Sequence, residues 1–476
     1  MKKVYKAHPL MVLSKVKPFF LIFILPVVKA ALQYLIKGRV TDILGVEIAI
    51  FIFVTVIAVI QWFCFKLILE EDVITVKSGF LIRKTAAIKF SRLSSVQVQR
   101  NPFDVLCSAV TYRINTEAGS RRKSDFKFKL SLKNSREIYS CIYKDTQVVQ
   151  VKFSPVKVAV MSATTSSAAM GILIGVPVIY RAGNLLGVAL NEMLLDEINN
   201  VSSKIETYFP PIVNTISLIF LLAYAVSFVY TFIKYMNFKL LLGEKSLEVR
   251  TGLFVRTSTV FKKSSVNNVK IEQTPLMHLF KRYAMKVSVG GFGEKKAVSQ
   301  VVMPSGKWSE IQREFYKYFP FLVTKERAIS SKRGLDTQSR FLFWPAIYLM
   351  LTLLVSMVLV FKFMDFGKLI LFLTIVAAGM IFYYAYMSLY EYKHGRLSLG
   401  ENVYARSAKW LNTYSLYCPK ENVGQIKITR FWLDFEKNTC RVKLTVCSES
   451  ADSTRVRLLE YDKIVKEIGE CFNVKV

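Results

Sequence analysis

The residues of this chain with the most evident chemistry are its cations. Arg121-Arg122-Lys123, with Lys127 and Lys129 close by, form one cluster; Lys262-Lys263 and Lys281-Arg282 form two more. Lys325, Arg327, Lys332 and Arg333 lie just ahead of an apolar run. Cations at a membrane surface hold anionic lipid headgroups, each contributing about 1 kcal/mol. Cations beside an apolar span also fix its orientation, and the two roles are compatible. Arg121, Arg122, Lys123, Lys262, Lys263, Lys281 and Arg282 are therefore candidate headgroup contacts. Their spacing composes no phosphoinositide-type pocket.

Other chemistry is harder to find. His8, His278 and His394 are far apart in sequence, and the cysteines (Cys64, Cys107, Cys141, Cys418, Cys440, Cys447, Cys471) include no CxxC pair. The expectation is scattered reduced thiols in a cytosolic setting, with no metal site and no cofactor. P-loop, GxSxG, HExxH and dinucleotide fingerprints are missing from the sequence, as are paired helical carboxylates. Gly290-Gly-Phe-Gly293 follows a strand pattern and opens no helix, so it reads as a turn. An enzyme is not expected. The net charge of +32, from 66 basic and 34 acidic residues, fits an anionic membrane or a positive-inside bias better than nucleic acid, because long apolar runs are present.

Six stretches are long and apolar enough to cross about 30 Å of hydrocarbon: approximately 18–36, 44–65, 158–180, 211–233, 341–361 and 368–390. They pair into hairpins through residues 37–43, 181–210 and 362–367. The N-terminus and the segments after each pair are rich in Lys and Arg, whereas the hairpin tips are short or acidic. The positive-inside rule then puts both termini and the intervening domains in the cytoplasm. No cleavable signal is evident, since the basic start runs into an apolar stretch without a small-residue cleavage site. Lys29 and Glu47 fall towards the outer ends of their spans, where long side chains snorkel; Gln33 and Gln61 are the other polar residues of that hairpin. In the third span, Gly171 and Gly175 supply a small-residue face for helix packing, within the bundle or against a partner.

The segments after the hairpins repeat. Phe65-Lys-Leu-Ile-Leu69 matches Phe238-Lys-Leu-Leu-Leu242, and Ile74-Thr-Val-Lys-Ser-Gly-Phe80 matches Leu247-Glu-Val-Arg-Thr-Gly-Leu253. Without a gap, Ser94-Ser-Val-Gln-Val-Gln99 matches Asn267-Asn-Val-Lys-Ile-Glu272, and Asn101-Pro-Phe matches Thr274-Pro-Leu. Gly79, Pro102, Gly252 and Pro275 are thus a structural fingerprint. A third copy is divergent: Arg396–Leu399, Val403–Ser407, Val423–Ile428 and Phe431–Asp434 keep the strand pattern, but the turn glycine and the proline are lost, with Ala408 nearest the glycine's place. Alternating apolar residues indicate short antiparallel strands, and each copy ends in a helical pattern, as in 308–319 and 461–472. A small β-sandwich or barrel with a helix across one end is expected three times.

This pattern resembles the membrane-flanked bacterial pleckstrin-homology-like domain (bPH2, DUF304), and three hairpin-plus-domain units in series resemble the YdbT-type family over essentially the full length. The resemblance implies two-sheet, seven-stranded domains with a C-terminal helix and a non-enzymatic protein. It also implies a smaller YdbS-type partner and a role in envelope protection or bacteriocin resistance and immunity. The expected organisation is 1–65 N-terminal segment and hairpin, 66–152 PH-like domain, 153–238 hairpin and 239–322 PH-like domain. A basic linker at 323–340, a third hairpin at 341–390 and a divergent PH-like domain at 391–476 complete it. A transporter or channel component, a lipid-surface scaffold unrelated to bacteriocins, and a homo- or hetero-oligomer remain open.

Overall fold

The computed structural model describes residues 3–16, 43–80, 82–116, 126–142, 149–167, 190–205, 211–289, 300–324, 328–331, 334–409, 411–446 and 453–472. Most of the first expected span, and most of the third with Gly171 and Gly175, lie outside them.

The strands follow the alternation in each copy, with one addition. In the first copy, Lys66–Leu69 (β2), Val73–Ser78 (β3) and Lys84–Lys89 (β4) form an antiparallel sheet, whose outer strand is Lys3–Lys6 (β1), from ahead of the hairpin. Leu93–Arg100 (β5), the one-turn helix Pro102–Leu106, Ala109–Thr116 (β6) and Phe126–Ser131 (β7) follow, closed by the helix Leu132–Ile142. The second copy repeats this as Val149–Lys152 (β8), Lys239–Leu242 (β9), Ser246–Thr251 (β10) and Arg256–Lys262 (β11). It continues with Val266–Gln273 (β12), the helix Pro275–Leu279, Tyr283–Val289 (β13), Gln300–Gly306 (β14) and the helix Trp308–Tyr318. The third is Ile329–Ser330 (β15), Arg396–Ser398 (β16), Asn402–Lys409 (β17), Asn412–Pro419 (β18) and Val423–Thr429 (β19). Trp432–Glu436, Thr439–Val446 (β20), Ser453–Glu460 (β21) and Tyr461–Phe472 complete it. In every copy a strand ahead of the apolar segment pairs with the first strand after it: β1 with β2, β8 with β9, β15 with β16.

Local chemistry explains the recurring bends. Gly79 and Gly252 have φ of 101° and 102°; a Cβ would stand 2.0 Å from the Ile82 carbonyl oxygen or 1.9 Å from that of Val255. Only glycine fits. In the third copy the pairing runs on to Lys409↔Asn412, past Ala408, so a glycine is not required there. Pro102 and Pro275 open their short helices, where the missing N–H is harmless. The third copy has Trp432 in the proline's place, and there Asp434 accepts the Phe431 N–H at 2.9 Å, a carboxylate cap that Asp104 also provides for Asn101. After each short helix one residue adopts a left-handed conformation: Ser108, Lys281 and Asn438, at φ of 52°, 51° and 50°.

The chain divides into two compact units, with the cut between Ser265 and Val266, inside the second copy. One unit comprises 1–151, 239–265 and 290–297. It holds the sheet β1-β2-β3-β4 and the sheet β7-β6-β5-β11-β10-β9-β8. Its core joins Tyr5, Leu67, Ile74, Val96, Tyr112, Phe128 and Ile138, with Tyr112 and Phe128 stacked at 5.7 Å. The Tyr112 hydroxyl donates to the Ser135 carbonyl at 2.9 Å, fastening the closing helix. Trp62 Nε1 donates to the Ala7 carbonyl at 2.7 Å, and Lys15 Nζ to Gln61 Oε1 at 2.5 Å, so the end of the hairpin helix Ile43–Phe63 is tied to the segment ahead of it.

The other unit holds the sheet β14-β13-β12-β18-β17-β16-β15, the sheet β19-β20-β21 and, among the described residues, three helices long and apolar enough to cross a membrane. These span Thr215–Tyr235, Asp336–Lys362 and Leu369–His394. Their apolar side chains are turned outward; Leu221, Leu351 and Leu373 are 64%, 55% and 56% exposed. Such a continuous apolar surface calls for hydrocarbon around it. The helix Pro155–Thr165 covers the start of the third expected apolar stretch, with Ser154 as N-cap and Pro155 at the first position. It is anchored where Thr274 Oγ1 donates to the Thr164 carbonyl at 3.2 Å and Lys157 pairs with Glu310 at 3.1 Å. Leu190–Ile205, within the acidic connection expected between the third and fourth apolar stretches, is a helix not anticipated there.

Candidate functional site

The basic residues singled out by sequence do not assemble into one site. Arg121, Arg122 and Lys123 lie outside the described residues, as do Lys325, Arg327, Lys332, Arg333, Lys29 and Gln33. Lys262 is engaged internally: its ammonium donates to the Phe90 and Ser91 carbonyls at 2.6 and 2.8 Å. Lys263 begins a single 3-10 turn, Lys263–Ser265. Lys281 is exposed and supplies the left-handed residue after its short helix, where the Arg282 N–H closes on the Met277 carbonyl at 2.8 Å. Lys129 neutralises Asp104, whose side chain is 1% exposed. Most of these described cations thus have a structural task.

A different constellation forms at the base of the third hairpin. A cavity of about 550 Å³ is lined by Trp344, Tyr348 and Tyr384 from the two hairpin helices and by Arg441, Arg455 and Arg457 from β20 and β21. Strand alternation puts Arg455 and Arg457 on one face of β21. Arg441 shares that face by alternation with Lys443, which stands opposite Arg455; the bulge lies on β21, where Arg457 and Leu458 together oppose Arg441 and Leu458 takes a φ of 55°. Tyr414, 6% exposed, contributes from β18, and burial pushes its hydroxyl up to about 12, so the phenol stays neutral.

Arg457 is already committed. Its Nε donates to Glu391 at 2.8 Å, its guanidinium lies 4.7 Å from the centre of the Phe341 ring, and Ser407 Oγ donates to the same carboxylate at 3.3 Å. Glu391, 1% exposed, is thereby satisfied and joins the end of the last hairpin helix to β17 and β21. Arg441 and Arg455 have no ion-pair partner among the described residues. Asp434, which acts on Arg441 at longer range, is engaged by Arg340 at 3.0 Å. Burial, then the neighbouring Arg457 charge, lowers the Arg441 pKa. Two exposed guanidinium groups without an ion-pair partner among the described residues, beside an aromatic and apolar wall, suit an amphiphile with an anionic head.

Sequence reading missed this site. The Arg455-Val-Arg457 alternation was visible, but the register that sets Arg441 beside it and the buried partner Glu391, 66 residues away from Arg457, were not. Conversely, two of the dispersed histidines meet: the His278 ring stands edge-on to Tyr390 at 5.1 Å, and His394 stacks on the same tyrosine at 4.2 Å. Cys418 and Cys440 are fully buried, and burial raises both thiols to about 12, which makes them inert. No cluster of His, Cys, Asp and Glu able to hold a metal occurs among the described residues.

Comparison with known proteins agrees with the repeat. The family model described as bacterial PH domain matches residues 20–146 and 187–318, the first two copies together with hairpin sequence ahead of each. No curated protein and no solved structure matches the chain. The two matches cover more than half of the sequence, and the chain belongs to the bacterial PH domain family.

Proposed function

We propose that the chain is a non-enzymatic, six-span membrane protein whose PH-like domains hold anionic lipid headgroups at the cytoplasmic face. The sheet pairing supports the topology. Because β1, β8 and β15 each pair with the strand beyond the following apolar segment, chain entering and leaving each segment lies side by side. Each segment then crosses the bilayer an even number of times, as a hairpin does. The cation-rich domains and the short or acidic tips orient all three hairpins the same way.

The observation that carries the headgroup reading is the pair Arg441 and Arg455, uncompensated in a cavity walled by Trp344, Tyr348 and Tyr384. The test is native mass spectrometry of the full chain released from phosphatidylglycerol-containing membranes. Wild type retains anionic lipid, and Arg441→Gln/Arg455→Gln loses most of it. Equal retention by both would overturn the assignment. Protection of the envelope against membrane-active bacteriocins, beside a smaller YdbS-type relative, is the physiological task the family resemblance suggests. Unchanged bacteriocin sensitivity on deleting the gene would remove it.

A further inference from the structure

Two sheets of this protein are joins between consecutive copies of the repeat. β5 of the first copy pairs antiparallel with β11 of the second, and β12 of the second pairs with β18 of the third. β5, β12 and β19 are equivalent strands, as are β4, β11 and β18. The two joins share one register: Val96 faces Val260, and at the equivalent positions Val269 faces Tyr417. Each copy therefore offers one edge to its predecessor and the other to its successor. At the ends of the series the pattern runs out. β4 and β19 are not joined to another copy and are outermost strands of their sheets among the described residues.

Burial records the difference. Val96 and Val269, each 0% exposed, correspond to Ile426 on β19, which is only half-buried. Val260, 1% exposed, corresponds to Ala87 on β4, which is exposed. Lysines commonly guard free edges against indiscriminate pairing. Here they do not forbid it, because Lys89 and Lys427 correspond to Lys262 and Lys270, which lie in the occupied joins.

We propose that β19 of one molecule pairs antiparallel with β4 of a second copy, head to tail, in the register used twice within the chain. Ile426 then faces Ala87, Lys427 faces Ala86 and Ile428 faces Thr85. Arg430 falls opposite Arg83, a like-charged pair with a precedent in Arg100 opposite Arg256. Arg430 is drawn aside by the Phe435 and Tyr461 rings, 4.3 and 4.1 Å from its guanidinium. Lys89 takes the part of Lys262 and donates to the carbonyls of Lys420 and Glu421, the counterparts of Phe90 and Ser91. The contact is heterologous, so it propagates into a row or closes into a ring.

The test uses the full chain in its membrane, with Cys107, the thiol exposed among the described residues, and Cys447 both replaced by serine. Two differently tagged copies are co-expressed, one carrying Ala87→Cys and the other Ile426→Cys, and then oxidised. The expected result is a disulfide-linked pair of chains about tenfold above the combination Lys84→Cys with Gln425→Cys, whose positions would lie about 13 Å apart, beyond the roughly 7 Å a disulfide spans. Single-cysteine chains set the background. No excess over the out-of-register pair would overturn the proposal. So would a bond formed within one chain carrying both substitutions, or capture of a different protein in place of the second copy.

Discussion

Replacing Arg457 with methionine removes the main partner of a carboxylate that has almost no access to water. Glu391 is 1% exposed, and the donors left to it are the backbone N–H of position 457 and Ser407 at 3.3 Å, both neutral. Breaking one side of a buried ion pair costs about 3–5 kcal/mol, because the abandoned charge stays desolvated. The strain should appear locally, since Arg457 sits on β21 two residues from Leu459, which faces Cys440 across the sheet. Cys440 is fully buried, so a thiol reagent reaches it only when the third copy opens. At about 1.36 kcal/mol per tenfold, its labelling should speed up roughly 10²- to 10⁴-fold. The assay is mass-spectrometric labelling of the full chain in membranes, with the half-buried Cys141 of the first copy as an internal reference whose rate should not change. Adding Glu391→Gln to Arg457→Met removes the stranded charge and should recover most of the loss. Wild-type labelling of Cys440 in Arg457→Met would refute the view that this pair holds the hairpin base to the domain.

Three further outcomes are expected. Gly252→Ala puts a Cβ 1.9 Å from the Val255 carbonyl oxygen and should cost about 1–3 kcal/mol, seen as a lower melting temperature, whereas Ala408→Gly should change little. Lys262→Met gives up bonds to the Phe90 and Ser91 carbonyls; a loss of about 1.5 kcal/mol in thermal unfolding, with lipid retention unchanged, would mark it as a structural clamp. His8 and His278 are held below their ordinary 6.5, His8 by burial and then Lys129, His278 by burial and then His394 and Arg406. The folded chain thus favours neutral rings, so their contribution is fully present above about pH 6.5 and is lost as pH falls below it. Melting temperature should drop on acidification, and His8→Gln/His278→Gln should flatten that slope.

The fold was legible wherever backbone geometry restricts residue choice. Gly79 and Gly252 are demanded by positive φ, Pro102 and Pro275 by helix starts, and alternation announced the strands. The third left-handed site was hidden because Ser108, Lys281 and Asn438 share a conformation and no residue type. The entering strands β1, β8 and β15 were missed because they have only four, four and two residues and meet their partners across an entire hairpin. The joins β5–β11 and β12–β18 are tertiary, and nothing in either strand names its neighbour. For the candidate site, cation counting pointed to surface clusters, while the structure gathered Arg441, Arg455 and Arg457 through the β20–β21 register and a buried carboxylate that periodicity does not reveal.

In the proposed topology each apolar segment is a hairpin threaded between two strands of one sheet, with all three domains on one side of the membrane. Its most direct measurement is the labelling of single cysteines from either side of sealed, oriented vesicles. Introduced at Lys66, Lys239 and Arg396, the residues that open the strand following each hairpin, they should react only from the cytoplasmic side. A cysteine at Phe363, between the last two membrane-length helices, should react only from the outer side. Outer-side labelling at any of the three strand positions would contradict the account.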